Sequence, residues 1–245
     1  MKEYIERKYR RWMGGEGLIY FQVSEEESDL YIGAIRDLSD IASKSLHIHR
    51  NAIKSYIEKE PKFKFSLNPL PITSNMKGIV KEMAEAAVTM GVGPMASVAG
   101  AIAEWVARDL AKYSEEVIVE NGGDIYLIGE KRRKVAIFAG ESIISGKLAI
   151  NLSPNSLPVA IATSSGTVGP SLSFGKADAV VVVSPGGALA DAAATALGNI
   201  VNNPEDFEKA IAKAKNINGI KGVIIICKEK IALWGDINIS FININ

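Results

Sequence analysis

The stretch ADAAATALGN at 190–199 sets one carboxylate and one hydroxyl among alanines. Asp191 and Thr195 are four residues apart, which places them on one face of a helix, one turn from each other. Two oxygens at that spacing could form a small oxygen-ligand site. An acid near a helix start also offsets the helix dipole, and a threonine can bond the carbonyl one turn back. Two more segments with chemical potential follow predicted strands. ENGGDI (120–125) reads as a hairpin turn, for which Asn-Gly is a strong signal, and it also offers Asp124 and bare backbone amides to a ligand. ATSSGTVGPS (162–171) reads either as a polar loop or as a nest of hydroxyls and amides for phosphate.

Other patterns fail on inspection. GESIISGKL (140–148) and GPSLSFGKA (169–177) resemble phosphate-binding loops, but both lack the Ser or Thr after Lys that would meet magnesium. GVGPMA (91–96) lies between two predicted helices, so the strand of a dinucleotide-binding unit is missing; a helix N-terminus holding an anion, or a plain helix–helix turn, remains. His47 and His49 are two apart on a predicted helix, point in different directions and have no obvious partner in the sequence. The single cysteine, Cys227, excludes an internal disulfide framework and reads as a small core residue. Chemistry therefore rests on carboxylates, hydroxyls, backbone amides and hard metals.

The elements that must position these groups follow from periodicity. The chain has 245 residues, 47% hydrophobic and 23% charged, enough for one large domain. Lys+Arg and Asp+Glu both total 28, which argues against a basic nucleic-acid surface. With no apolar leader and no membrane-length apolar run, a cytoplasmic protein is expected. Two strands flank the acidic turn near residues 25–28, and helices are expected at 36–59, 76–90 and 96–113. A proline-containing connector runs over 61–75. Strands are expected in 115–140, KLAINL, VAIATSS and ADAVVVVSP, then helices at 188–202 and 204–215 and the strand pair GVIIICKEKIALWG. The tail INISFININ alternates apolar residues with Asn, which suggests a strand with one wet face or a homo-oligomer contact. No internal repeat is evident. The class is α+β with a largely antiparallel sheet, as a single domain over 1–245 with an N-terminal part (1–90) and a motif-bearing part (91–245).

Taken together and in order, the motifs between about residues 90 and 200 resemble the ApbE superfamily, whose best-known members are flavin transferases that bind FAD and magnesium. The likeness rests on the small-residue helix SVAGAIAE and on the Asn121, Gly122, Gly123, Asp124 loop. It continues through the Thr163, Ser164, Ser165, Gly166 loop to the Asp191-x-x-x-Thr195 helix. The resemblance implies an ApbE-like fold that binds FAD or FMN. The metal would be held by Asp191, Thr195 and the backbone carbonyl of Val98. Ser164, Ser165 and Thr167 would contact phosphate within the loop begun by Thr163, and Lys176 would be a charge partner. Asp124 would act as base or orienter.

The chain departs from the pattern in three ways. The family's His-x-x-Asp-Pro stretch is absent, Ala99 stands where the family has lysine, and the following acid is Glu104. The chain thus resembles a shorter branch associated with sulfur and homocysteine metabolism in anaerobes. Three functions are expected to compete: a protein binding a flavin nucleotide with Mg2+, a transferase that attaches FMN to an acceptor protein, and a non-catalytic assembly or carrier protein.

Overall fold

Runs of β-branched residues with period-two burial build a long antiparallel sheet. The computed structural model describes residue 10 and residues 14–166 and 174–242. Its strands are β1 (Ile19–Glu25), β2 (Ser28–Ala34), β3 (Val117–Asn121), β4 (Asp124–Ile128), β5 (Arg133–Ala136), β6 (Leu148–Leu152), β7 (Val159–Ser164), β8 (Ala179–Ser184), β9 (Gly222–Cys227), β10 (Lys230–Gly235) and β11 (Ile239–Phe241). The helices are α1 (Ser39–Lys59), α2 (Lys62–Phe65), α3 (Gly78–Met90), α4 (Val98–Leu110), α5 (Gly187–Gly198) and α6 (Phe207–Lys215). Among the described residues, the large sheet has the order β1-β2-β3-β4-β7-β8-β9-β10, and every neighbouring pair is antiparallel. The smaller sheet, β11-β6-β5, includes the alternating tail as its edge.

The two faces of the large sheet bury different things. In β8, Val180 and Val182 join the core beneath the helices, while Ala179, Val181 and Val183 join the core beneath the small sheet. Burial on both faces is why this strand reads as the unbroken apolar run AVVVV. Each such valine contributes about 1.5–3 kcal/mol when fully removed from water. Two similar halves run along the sheet: β1–β2, helices, β3–β4, and then β7–β8, helices, β9–β10. They meet at a seam where β4 lies beside β7.

The α+β class and antiparallel sheet agree with the sequence reading. The 61–75 connector differs from it. A single helical turn, α2, forms there because Phe63 is completely buried and anchors it. The histidines differ too, since both have partners. His49 is buried, 2.9 Å from the Asp109 carboxylate and against Trp105, and exposed His47 lies 3.1 Å from Glu25. Those acids lie 60 and 22 residues away, beyond the reach of local pattern. Cys227 is buried, as expected.

Candidate functional site at the seam

The ENGGDI segment is both a hairpin turn and a platform. Asn121 pairs with Asp124 at the end of the β3–β4 ladder, and Gly122 and Gly123 between them have φ of 69° and 107°. A two-residue turn matching the strand twist needs such angles, which glycine adopts freely. Period two puts Asn121 and Asp124 on the helix side of the sheet with Val119 and Tyr126. On the reverse side, the buried Glu120 carboxylate accepts from the Gly123 N–H at 2.9 Å and from Arg10 Nε at 2.6 Å.

Above this platform α4 and α5 cross at bare backbone. A Cβ on Gly100 would lie 2.3 Å from the Gly187 carbonyl oxygen, and one on Gly187 would lie 2.2 Å from that of Gly100. An acid stands four residues after each glycine. Asp191 accepts from the N–H groups of Ala99 and Gly100, both at 3.0 Å, and Glu104 accepts from the N–H of Gly187 at 2.6 Å. Each helix thus caps the other's N-terminus, where orphan amides and the dipole favour a carboxylate. Asp191 serves a helix dipole, but that of α4 rather than its own. The anion at the N-terminus following GVGPMA is this protein carboxylate. The matching pentapeptides GAIAE (100–104) and GALAD (187–191) supply the geometry. They are too short and alanine-rich to stand out as a repeat in the sequence.

One oxygen of Glu104 accepts from the Gly187 N–H and the other faces Arg108 in an ion pair. Burial pushes its carboxyl up against the opposing pull of the Gly187 N–H and of Arg108, whose guanidinium is 2.5 Å away. Burial, with the Glu104 charge behind it, pushes the Tyr126 hydroxyl up to about 12. That hydroxyl donates to the Pro185 carbonyl at 3.2 Å.

The Asp191 face of the crossing holds the titratable pair. Asp124 is buried, and its Oδ1 accepts from the Thr163 N–H at 3.1 Å. Burial first, and then the Asp191 charge, push Asp124 well above the usual carboxylate range. Burial also raises Asp191, to about 6, against the lowering influence of the Gly100 N–H, a hydrogen bond from Asp124 and the Ala99 N–H. Both carboxyls are thus pushed toward their protonated forms and titrate as a pair. Asn121 Nδ2 donates to the Ala99 carbonyl at 3.1 Å, tying the hairpin to the first turn of α4. Val98, whose carbonyl the resemblance implicates, is the first residue of that turn and is half-buried.

The remaining candidates are placed unequally. Over 187–199, the only half-buried residues are Leu189 and a stripe at four-residue steps, Asp191, Thr195 and Asn199. Thr195 thus sits one turn along α5 from the carboxylate pair, beside an accessible surface. Thr163 and Ser164 end β7 half-buried, followed by half-buried Ser165 and exposed Gly166. By alternation Ser164 shares the helix side with Ala160 and Ala162, while Thr163 presents its backbone N–H to the site and its side chain to the other face. Thr167 lies outside the described residues, as does part of the 169–177 segment. Lys176 is exposed, and its N–H bonds the Val201 carbonyl beyond the far end of α5. Ten residues of helix and cap separate Val201 from Asp191, about 15 Å at helical rise, while on its other side Lys176 adjoins Gly166, on which an added Cβ would lie 3.1 Å from Lys176 Cα.

The donor set fits a hard divalent cation. Two carboxylates, a hydroxyl and backbone carbonyls are all oxygen ligands, as such ions prefer. No group of three His, Cys, Asp or Glu side chains that could hold a metal occurs among the described residues. Phosphate oxygens and water would complete the sphere. Among the described residues no single helix is long and apolar enough to cross a membrane.

Comparison with known proteins agrees with this architecture. The family described as AbpE bacteria matches residues 10–233. A UPF0280 protein of Methanosarcina barkeri is 42% identical over 200 residues, covering 81% of this chain and 79% of that protein. A UPF0280 protein of Methanocaldococcus jannaschii is 40% identical over 194 residues, covering 77% and 79%. Among solved structures, the flavin transferase ApbE from Vibrio cholerae superposes with a TM-score of 0.56 at 15% identity, covering 89% of this chain and 96% of that one. The flavinyl transferase ApbE of Pseudomonas stutzeri, in its apo form, gives the same TM-score and identity, covering 89% and 94%.

Proposed function

This chain belongs to the ApbE superfamily, and we propose that it binds a flavin nucleotide, FAD or FMN, with Mg2+ at the seam between β4 and β7. The observation that carries the reading is the convergence of two carboxyls, buried Asp124 and half-buried Asp191, under the N-terminus of α4. Two acids brought together out of water are costly unless a proton or a cation separates them. Asp191 and Thr195, with Asp124 and the Val98 carbonyl, would hold the metal. Bound there, Mg2+ would neutralise charge on a diphosphate. The amides and hydroxyls of the Thr163, Ser164, Ser165, Gly166 segment, continued by Thr167, would take the phosphates. The Asn121-Gly122-Gly123 turn would form one wall, since glycine lets a ligand approach the backbone closely.

Transfer of FMN to a hydroxyl of an acceptor protein is the second reading. Asp124 favours it, as a buried carboxyl that can take a proton from an attacking hydroxyl once its own proton is displaced. The absent His-x-x-Asp-Pro stretch weighs against it, and Glu104 is already committed to Gly187 and Arg108. We therefore expect tight binding and slow or no transfer.

The test is to titrate FAD into the protein with Mg2+ or with EDTA, following flavin fluorescence and heat. Asp191→Asn and Thr195→Ala should each weaken the Mg2+-dependent part by roughly 1–3 kcal/mol, the scale of a lost charge-assisted contact. Failure of FAD and FMN to bind under either condition would refute the reading. Incubation with FAD, Mg2+ and an acceptor domain, followed by in-gel fluorescence and intact mass, separates binding from transfer.

A further inference from the structure

We propose that β10 is a docking edge for a second copy of this chain, through antiparallel β10–β10 pairing about a two-fold axis at Ala232. Among the described residues β10 ends the large sheet. Its hairpin with β9 closes over Lys228 and Glu229, so Cys227–Lys230 is the first hydrogen-bonded pair and the ladder continues at every second residue. The Asp236 N–H bond to the Lys221 carbonyl at 3.0 Å lies on that same register. Lys230, Ala232 and Trp234 therefore turn their backbone groups to β9, while Ile231 and Leu233 turn theirs to the open edge.

The side chains suit self-pairing. Ile231 and Leu233 are 37% and 48% exposed on the face that the small sheet leaves uncovered here. In a register centred on Ala232, Ile231 falls opposite the partner's Leu233, and Leu233 opposite the partner's Ile231. Those two positions are the ones with outward N–H and C=O groups, so apolar cross-strand contact and hydrogen bonding coincide. Lys230 falls opposite the partner's Trp234, where a cation meets an aromatic face, and like charges stay apart. Antiparallel pairing also sets the Lys228 and Lys230 end of one strand against the Asp236 end of the other. The surface continues past the hairpin: Ile143, 62% exposed, sits in a loop whose Ser142 hydroxyl donates to the Lys228 carbonyl at 3.1 Å. A long edge strand bearing apolar residues and a single lysine is poorly defended against pairing, and here the exposed pattern complements itself. The occupant is a second copy.

Sedimentation and light scattering should show a dimer at about 50 µM, a concentration above the micromolar dissociation constants of modest interfaces. Leu233→Lys should weaken it by roughly 100-fold or more, as for loss of a central contact repeated by symmetry, with an unchanged circular-dichroism spectrum because Leu233 is half exposed. Register has its own readout. Ala232→Cys should form an intermolecular disulfide in air, since residues facing across a non-hydrogen-bonded pair have Cα atoms about 4.5 Å apart, whereas Lys230→Cys should not. A monomer at that concentration overturns the proposal. So does a dimer that tolerates Leu233→Lys, or one that cross-links through Lys230→Cys but not Ala232→Cys.

Discussion

Replacing Asp124 by Asn should make the metal-free protein more stable at pH 8, although it alters a buried group at the centre of the site. Asp191 is raised from its ordinary 3.8 to about 6, and Asp124 is raised further by burial and by that neighbouring charge. A carboxyl raised in the folded state binds more protons there than when unfolded. Its stabilisation is fully present below the unfolded value and is lost as pH rises through the folded one. The window for Asp191 runs from about pH 4 to about pH 6, and two units correspond to about 3 kcal/mol. Asparagine keeps the shape and can still accept from the Thr163 N–H, while its amide donates to Asp191 without needing a proton. In EDTA at pH 8 the variant should melt above wild type, because it removes a carboxyl whose charged form is penalised by burial and by the Asp191 charge. The gap should shrink by pH 5. Added Mg2+ should raise the wild-type melting temperature at pH 8 and leave the variant nearly unmoved. The assay is differential scanning calorimetry from pH 5 to 8, with and without metal. Melting curves that run parallel across that range would refute the reasoning that the two carboxyls are raised together.

Three other outcomes are expected. Gly187→Ala should cost roughly 3 kcal/mol or more in urea denaturation, because its methyl group would meet the Gly100 carbonyl at 2.2 Å and pry both caps apart. Gly123→Val has open space around it but demands φ of 107° from a branched residue, so flavin titration should show binding abolished while circular dichroism stays native-like. Asp109 stands at about 2, since hydrogen bonds from Lys112, His49 and Ser45 outweigh its partial burial. Its stabilisation is present above about pH 4 and is lost as pH falls through 2, so Asp109→Asn should flatten the acid limb of a pH–stability curve.

Much of this architecture is written locally. Short β-branched apolar runs announce β3, β4 and β8, the Asn-Gly-Gly turn announces its hairpin, and Asp191 with Thr195 announces one helical face. What stays hidden depends on long-range closure. Nothing near Asp191 in sequence indicates that it caps α4, because the amides it binds are 91 and 92 residues away. Glu104 looks like a spare base until its partner, the Gly187 N–H, is seen. Arg10 lies outside every motif, yet it reaches the buried Glu120 behind the site. Lys176 is another case of closure the sequence does not show: its backbone packs against Gly166, whose N–H bonds the Ala177 carbonyl at 2.9 Å, while its own N–H bonds the Val201 carbonyl at the end of α5.

The reciprocal capping of α4 and α5 imposes an order on folding. The β1–β2, β3–β4 and β9–β10 hairpins each close over two residues, so they can nucleate early and cheaply. The helix crossing instead joins positions 83 to 92 residues apart, a closure that costs about 4 kcal/mol in chain entropy. Because both caps form at the same crossing, neither acid finds its amides before the two halves dock. Asp124 and Asp191 therefore stay hydrated through the early steps, and the expense of drying them falls on the last one. In pulsed hydrogen exchange during refolding, the hairpin amides should be protected first. Those of Ala99, Gly100 and Gly187 should follow together, in a single later phase.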